Sequence, residues 1–270
     1  MSRNRRPIIE TRGPEVGRCN VCGEVGKLTE DHTPPKGCYR PTQVELRSLL
    51  RRLSDTAEGP MSRYSQNGVK FRTLCHRCNN SLLGGLYDPA FIQFVNRVST
   101  TLRSTLSLPD VMWLSGQPQA IVRSLLGHCA AQGVDRYPKG PETEEVAAYM
   151  LDSSLPLPER LRVFYWAYPH RSHIMVRDAA YLDLRSGKPF AFWLLKFFPI
   201  AFMVAWGEHS PMPFPIHTFD EWRHAPFSAE VEIPIRLRPL TPEHWPEAPL
   251  DTTILTYGRE AISVMTARNR

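Results

Sequence analysis

The chain has 270 residues, 42% hydrophobic and 22% charged, a globular composition that argues against wholesale disorder. At roughly 150 residues per domain the length predicts about two domains. The 25 prolines against 16 glycines argue against a helical bundle or coiled coil, since proline interrupts long helices. The formal net charge is +6 and unevenly spread. Residues 1–105 carry 17 Lys and Arg against 9 Asp and Glu, and residues 106–270 carry 16 against 18. The first part is therefore +8 and the second −2, which suggests that the first part meets a polyanion.

Residues 1–18 read as a basic arm with Arg3, Arg5, Arg6, Arg12 and Arg18. Cys19 to Gly23 is a tight knuckle, and Leu28 to His32 is a short strand stopped by Pro34 and Pro35. Thr42-Gln43-Val44-Glu45 matches the Thr-x-x-Glu capping box, and Leu46, Leu49, Leu50 and Leu53 follow at helical spacing. A helix is expected there, with Arg47, Arg51 and Arg52 on its other faces, either solvated or contacting phosphate. Residues 54–69 are polar and read as loop. Phe71 to Leu74 leads into a second knuckle at Cys75. A helix from Asn79, interrupted near Gly84-Gly85, precedes another that starts with Asp88 as N-cap and Pro89 in its first turn. Phe91, Phe94, Val95, Val98 and Leu102 form the apolar face of that helix.

Gln119 to Ala131 and Glu142 to Leu151 read as short helices. Strands are expected over Arg162–Tyr168, Ser172–Val176, Tyr181–Leu184, Phe190–Leu195 and Ile200–Trp206, with a hairpin turn at Arg185-Ser186-Gly187-Lys188. Val231 to Arg238 alternates but carries Pro234, the mark of an edge strand. The most apolar run, Phe190 to Trp206, contains Lys196 and Pro199 and is shorter than the ~20 clean apolar residues of a membrane span. Met1 to Arg12 is basic with no apolar stretch after it, so no secretory signal is expected. A cytoplasmic protein without membrane contact follows, in which thiols stay reduced. The six cysteines are then metal ligands or core residues.

Cys19-x-x-Cys22 and Cys75-x-x-Cys78 supply the four thiolates that a structural Zn2+ takes. Cys38 and Cys129 lack such partners and read as core thiols. A four-thiolate site has no open coordination position, so it contributes folding energy and leaves chemistry to its neighbours. Those neighbours are Glu30-Asp31-His32-Thr33-Pro34-Pro35 after the first knuckle and Leu74-Cys75-His76-Arg77-Cys78-Asn79 around the second.

An Asp-His pair after one Cys-x-x-Cys and an Asn directly after the other resembles the HNH nuclease superfamily, nearest its cysteine-bearing subgroup that includes phage endonuclease VII. The resemblance spans roughly residues 17–85 and implies a ββα-metal fold. It further implies His32 as general base, with Asp31 and Asn79 as ligands of a catalytic Mg2+ or Mn2+. The family often carries another Asn shortly before the third cysteine, where this chain has Lys70; Asn67 is the nearest substitute. Asn79 also suits a helix N-cap, and Asn80 is an alternative ligand. Lys36, Arg47, Arg51 and Arg77 are candidates for phosphate contacts.

The expected fold class is α+β. Residues 1–105 form a basic arm and a small zinc-stabilised ββα-metal nuclease domain, and residues 106–270 form a larger α+β domain with a mainly antiparallel sheet. The expected function is a metal-dependent endonuclease acting on nucleic acid, DNA first. The second domain would regulate it or dock an activating protein partner or a second copy of the chain. By analogy, that arrangement is common in bacterial anti-phage defence effectors. The alternative is a catalytically inactive zinc-stabilised module that binds nucleic acid or docks a protein.

Overall fold

Antiparallel sheets carry the fold in a computed structural model that describes residues 9–40, 42–53, 62–104, 107–137, 141–206, 212–248, 250, 252–258 and 260–266. The first part contains β1 (Val16–Arg18), β2 (Val25–His32), β3 (Val44–Ser48), a short helix α1 (Leu49–Leu53), β4 (Arg63–Ser65) and β5 (Lys70–Cys75). A π-helical segment, Arg77–Tyr87, follows and runs straight into α2 (Asp88–Ser104). The second part adds β6 (Val111–Gly116), α3 (Pro118–Ala130), α4 (Pro141–Leu151), β7 (Leu161–Ala167), β8 (His173–Asp183), β9 (Pro189–Phe197) and β10 (Ile200–Trp206). It ends with β11 (His217–Thr218), β12 (Val231–Arg236), β13 (Thr253–Thr256) and β14 (Ile262–Thr266). The protein is α+β with mainly antiparallel pairing, as expected.

One small sheet has the order β1-β2-β5, and the first knuckle is the turn between β1 and β2. Gly23 in that turn sits at φ +75°, a conformation that favours glycine. The large sheet has the order β11-β7-β10-β9-β8-β14-β3-β4, with β13 also on β8. All seven residues of β10 are buried, because the sheet is covered on both faces. Tyr165, Leu195, Phe202 and Val204 face the helices; Trp166, Leu194, Ala201 and Met203 face a second cluster that includes Trp245. Lys196 survives within this apolar run because its ammonium is fully partnered. It donates to Glu247 Oε1 and Oε2 (2.8 and 2.7 Å), to the Trp245 carbonyl (2.9 Å) and to the Glu243 carbonyl.

Several local expectations change, among them the loop reading of residues 54–69, which contains the strand β4. Val44 to Ser48 is a strand, not the first turn of a helix. Val44 and Leu46 alternate into the core while β3 pairs with β14 on one side and β4 on the other. That two-sided ladder outweighs the capping-box signal. The Gly84-Gly85 pair does not break the helix, and Asp88 has helical φ/ψ (−59°, −35°) within a continuous helical run. Its carboxylate is used by α3 instead of capping. Ser172–Val176 and Tyr181–Leu184 are one strand, β8, with an irregularity between Val176 and Ala179. Pro234 lies on β12, which among the described residues pairs only with β6, in keeping with an edge position.

The expected boundary near residue 105 does not fall between separate cores. One hydrophobic cluster joins Cys78, Leu83, Phe91 and Phe94 to Ile121, Leu125, Phe197 and Phe202. The centre of this cluster is α3, all of whose residues are buried. No described helix is long and apolar enough to cross a membrane.

Candidate metal centre and the Asp31-His32 strand end

The two knuckles meet. The ligand atoms of Cys19, Cys22, Cys75 and Cys78 all lie within 4.8 Å of one another. Cys22 Sγ is 3.7 Å from Cys75 Sγ, and the Cys75 amide donates to Cys19 Sγ at 3.3 Å. Thiols this close compete for one negative charge. The bond from Cys78 draws the Cys19 thiol down to about 5, burial pushes Cys22 up to about 12, and its bond to Cys19 raises Cys78. A dication relieves this conflict by holding all four as thiolates. The four-sulfur set, with an amide directed at a ligand sulfur, fits a structural ion such as zinc. Cys129 is buried and Cys38 is half-buried, both outside this group.

The first knuckle is fastened to α3. Asn20, fully buried between Cys19 and Cys22, donates to the carbonyls of Ala130 (3.0 Å) and Gly133 (2.8 Å). Thr73, two residues before Cys75, donates to the Ala131 carbonyl at 2.6 Å. The open carbonyls at the C-terminus of α3 are therefore partnered by residues of the cysteine-bearing sheet.

Asp31 and His32 end β2. A bulge between Thr29 and Glu30 shifts the β2–β5 register, so Asp31 shares the buried side with Leu28 while His32 turns the other way. Asp31 Oδ2 accepts from Thr33 Oγ1 (3.2 Å) and lies 2.8 Å from His128 Nδ1. His128 Nε2 lies 3.0 Å from Asp88 Oδ1, which also accepts from Ser124 Oγ at 2.8 Å. Asp31, His128 and Asp88 are almost wholly enclosed. Burial opposes charge on His128, but the two carboxylates outweigh it and raise the imidazole to about 10. Both ring nitrogens then donate. Burial raises the Asp31 carboxyl; at Asp88 burial is outweighed by the charge and bonds of His128 and Ser124, so its carboxyl is lowered.

His32 has a different environment. Burial, together with the charges of Lys36 and Lys70, lowers it to about 4 against the opposing pull of Glu30, so the ring is neutral at pH 7. A backbone hydrogen bond with Asn67 holds it, and Nε2 has no partner among the described residues. Asn67 (φ 59°) and Gly68 (φ 80°) form the turn between β4 and β5, so the Asn-Gly pair places the backbone that steadies His32.

Asn79 lies within the π-helical segment instead of at its N-cap, which is His76. Its amide nitrogen donates to Thr29 Oγ1 (2.8 Å) and to the Glu30 carbonyl (3.1 Å), tying the helix to the strand one residue before Asp31. Lys36 is exposed in a short turn after His32, and Arg77 is exposed beside Cys78. Arg47 lies in the large sheet on β3, bonded to Glu45 at 2.8 Å, and is not part of the Asp31-His32 strand end. Arg51 belongs to α1, and its side chain lies outside the described residues.

Oxygen-seeking divalent ions take carboxylate and amide oxygens. Asp31 uses Oδ2 for Thr33 and His128, and Oδ1 makes neither bond. Asn79 uses its nitrogen, which leaves Oδ1 as its other end. Each side chain is thus held through one of its two polar ends.

Nothing in the motif pattern pointed to His128, Asp88 as its partner, or Asn20. A usable signal was present: Arg123 and His128 are the basic side chains of a helix that is otherwise uncharged and wholly buried, and charge at such positions needs a buried partner. No family model, curated protein or solved structure matches this chain.

Proposed function

We propose that this protein is a metal-dependent endonuclease that hydrolyses phosphodiester bonds of nucleic acid, with DNA as the first substrate to test. One observation carries the reading. His32 is neutral, its Nε2 is buried with no partner among the described residues, and it ends a strand between Asp31 and the lysine-bearing turn at Lys36. A neutral imidazole held from one side by Asn67 is in the state a general base requires.

In this mechanism a water oxygen bonds to phosphorus as its proton passes to His32 Nε2. The bond from phosphorus to the 3′ oxygen breaks, and the leaving oxygen takes a proton from solvent. Lys36 and Arg77 attract the phosphodiester without reading sequence, which suits the +8 charge of residues 1–105. Asp31 and Asn79 would hold Mg2+ or Mn2+, which supplies Lewis-acid stabilisation of charge on the phosphate and leaving oxygens. The four cysteines would hold Zn2+ as a structural ion only.

The test is plasmid nicking by full-length protein with Mg2+, wild type against His32→Ala. Wild type is expected to cut. The variant is expected to lose at least about a hundredfold in rate. Elemental analysis should find about one zinc per chain in both, since His32 is not among the sulfur ligands. Equal cutting by His32→Ala at saturating metal removes His32 as the base. Folded wild type that neither cuts nor nicks favours the binding-module alternative.

A further inference from the structure

The imidazole of His128 spans two carboxylates and joins three elements: the end of β2 through Asp31, the start of α2 through Asp88, and α3 itself. It is 1% exposed, and both nitrogens are engaged at 2.8 and 3.0 Å. A ring held at both ends cannot turn without breaking a bond in a site closed to water. Ser124, one helical turn before His128, fixes Asp88 from the same helix. Thr33 fixes the same oxygen of Asp31 that His128 holds.

We propose that His128, backed by Asp88 and Ser124, is the positioning residue for the Asp31 carboxylate. By holding Oδ2, it presents Oδ1 to a divalent ion shared with Asn79. This inference rests on the metal-dependent reading of the site. It also assigns the second carboxylate a purpose. Asp88 Oδ1, 3.0 Å from His128 Nε2, holds the far side of the ring and so fixes the end that faces Asp31. Positioning of this kind, through the ligand atom the metal does not use, commonly changes metal affinity by about ten- to a hundredfold. The chain segment that resembles a nuclease ends before Asp88 and His128. On this view α2 and α3 complete the site.

The test measures Mn2+ binding to full-length, zinc-loaded protein by electron paramagnetic resonance, without nucleic acid. Wild type is expected to bind one Mn2+. His128→Ala should weaken that affinity by about tenfold or more while zinc content and circular dichroism stay unchanged. His128→Asn keeps an amide donor for Asp31 and should recover most of the affinity. Asp88→Asn loosens the hold on the far side of the His128 ring and should weaken binding; it decides the matter if His128→Ala does not fold. Folded variants that bind Mn2+ as tightly as wild type overturn the positioning role and leave the nuclease reading standing. Wild type that binds no Mn2+ overturns the metal-dependent reading and this inference with it.

Discussion

Buried polar side chains set much of the behaviour of single residues in this protein. His173 begins β8 beside the Phe197 ring, and its Nε2 is buried with no partner among the described residues. Burial alone lowers it to about 3. The unfolded chain takes up this proton near pH 6.5, while the folded chain refuses it until about pH 3. Stability from this group is therefore complete above pH 6.5 and falls as pH drops through that window, by at most about 1.4 kcal/mol per pH unit. His173→Phe should lose less stability than wild type between pH 7 and pH 5 in urea denaturation. Equal losses would show that His173 is not the group concerned. Little of this environment is legible in the sequence. The cysteine pairs declare themselves by spacing, and Asp31-His32 by motif. A histidine whose partner lies far along the chain, such as His128 with Asp31, gives no local signal, because the contact exists only after folding.

At the scale of elements, the apolar runs of β9 and β10 and the helices α3 and α4 were legible, since burial on both faces or all round demands continuous apolar sequence. β3 was not, because five residues with leucines at several spacings fit a helix as readily as a strand until β14 and β4 supply the ladder. The end of α3 was equally hidden. Arg177, almost fully buried in the β8 irregularity beside Asp178 (φ 60°), donates to the carbonyls of Ala130 and Gln132 at 2.6 Å and of Arg136 at 2.7 Å. Burial lowers its guanidinium to about 10, which leaves it charged at pH 7. One side chain of the large sheet thus closes the helix that Asn20 and Thr73 close from the cysteine-bearing sheet. Arg177→Met keeps the length of the stem and removes every donor, so three carbonyls lose a charged partner in an enclosed site. A loss of about 3 kcal/mol is expected, at the level of one or two charge-assisted hydrogen bonds after relaxation. The urea midpoint should fall with the slope unchanged. A midpoint within error of wild type would mean that the carbonyls find other partners.

For the whole molecule, the charge split between residues 1–105 and 106–270 suggested two parts with separate duties, but charge reports surface and not core. The core crosses the boundary. Leu83, Tyr87, Phe91, Phe94, Val95 and Val98 come from the first part and are each at most 1% exposed. They belong to a cluster with Ile121, Leu125, Phe197 and Phe202 from the second. β3 and β4, which lie between the two cysteine pairs in sequence, are the last two strands of a sheet built mostly from residues after 160. Removing residues 106–270 uncovers six large side chains, each worth roughly 1.5–3 kcal/mol of burial. It also leaves Asp31 and Asp88 without His128 and takes away the carbonyls that Asn20 and Thr73 bind. The sum is comparable with the whole stability of an ordinary domain, about 5–15 kcal/mol. A single structural ion would have to offset all of it. Residues 1–105 expressed alone with zinc should therefore be insoluble, or soluble without a cooperative melting transition, while the full chain melts cooperatively. A soluble 1–105 fragment with one zinc, dispersed amide resonances and a sharp transition would show instead that the cysteine-bearing part folds by itself and that the second part can act upon it as a separate regulator.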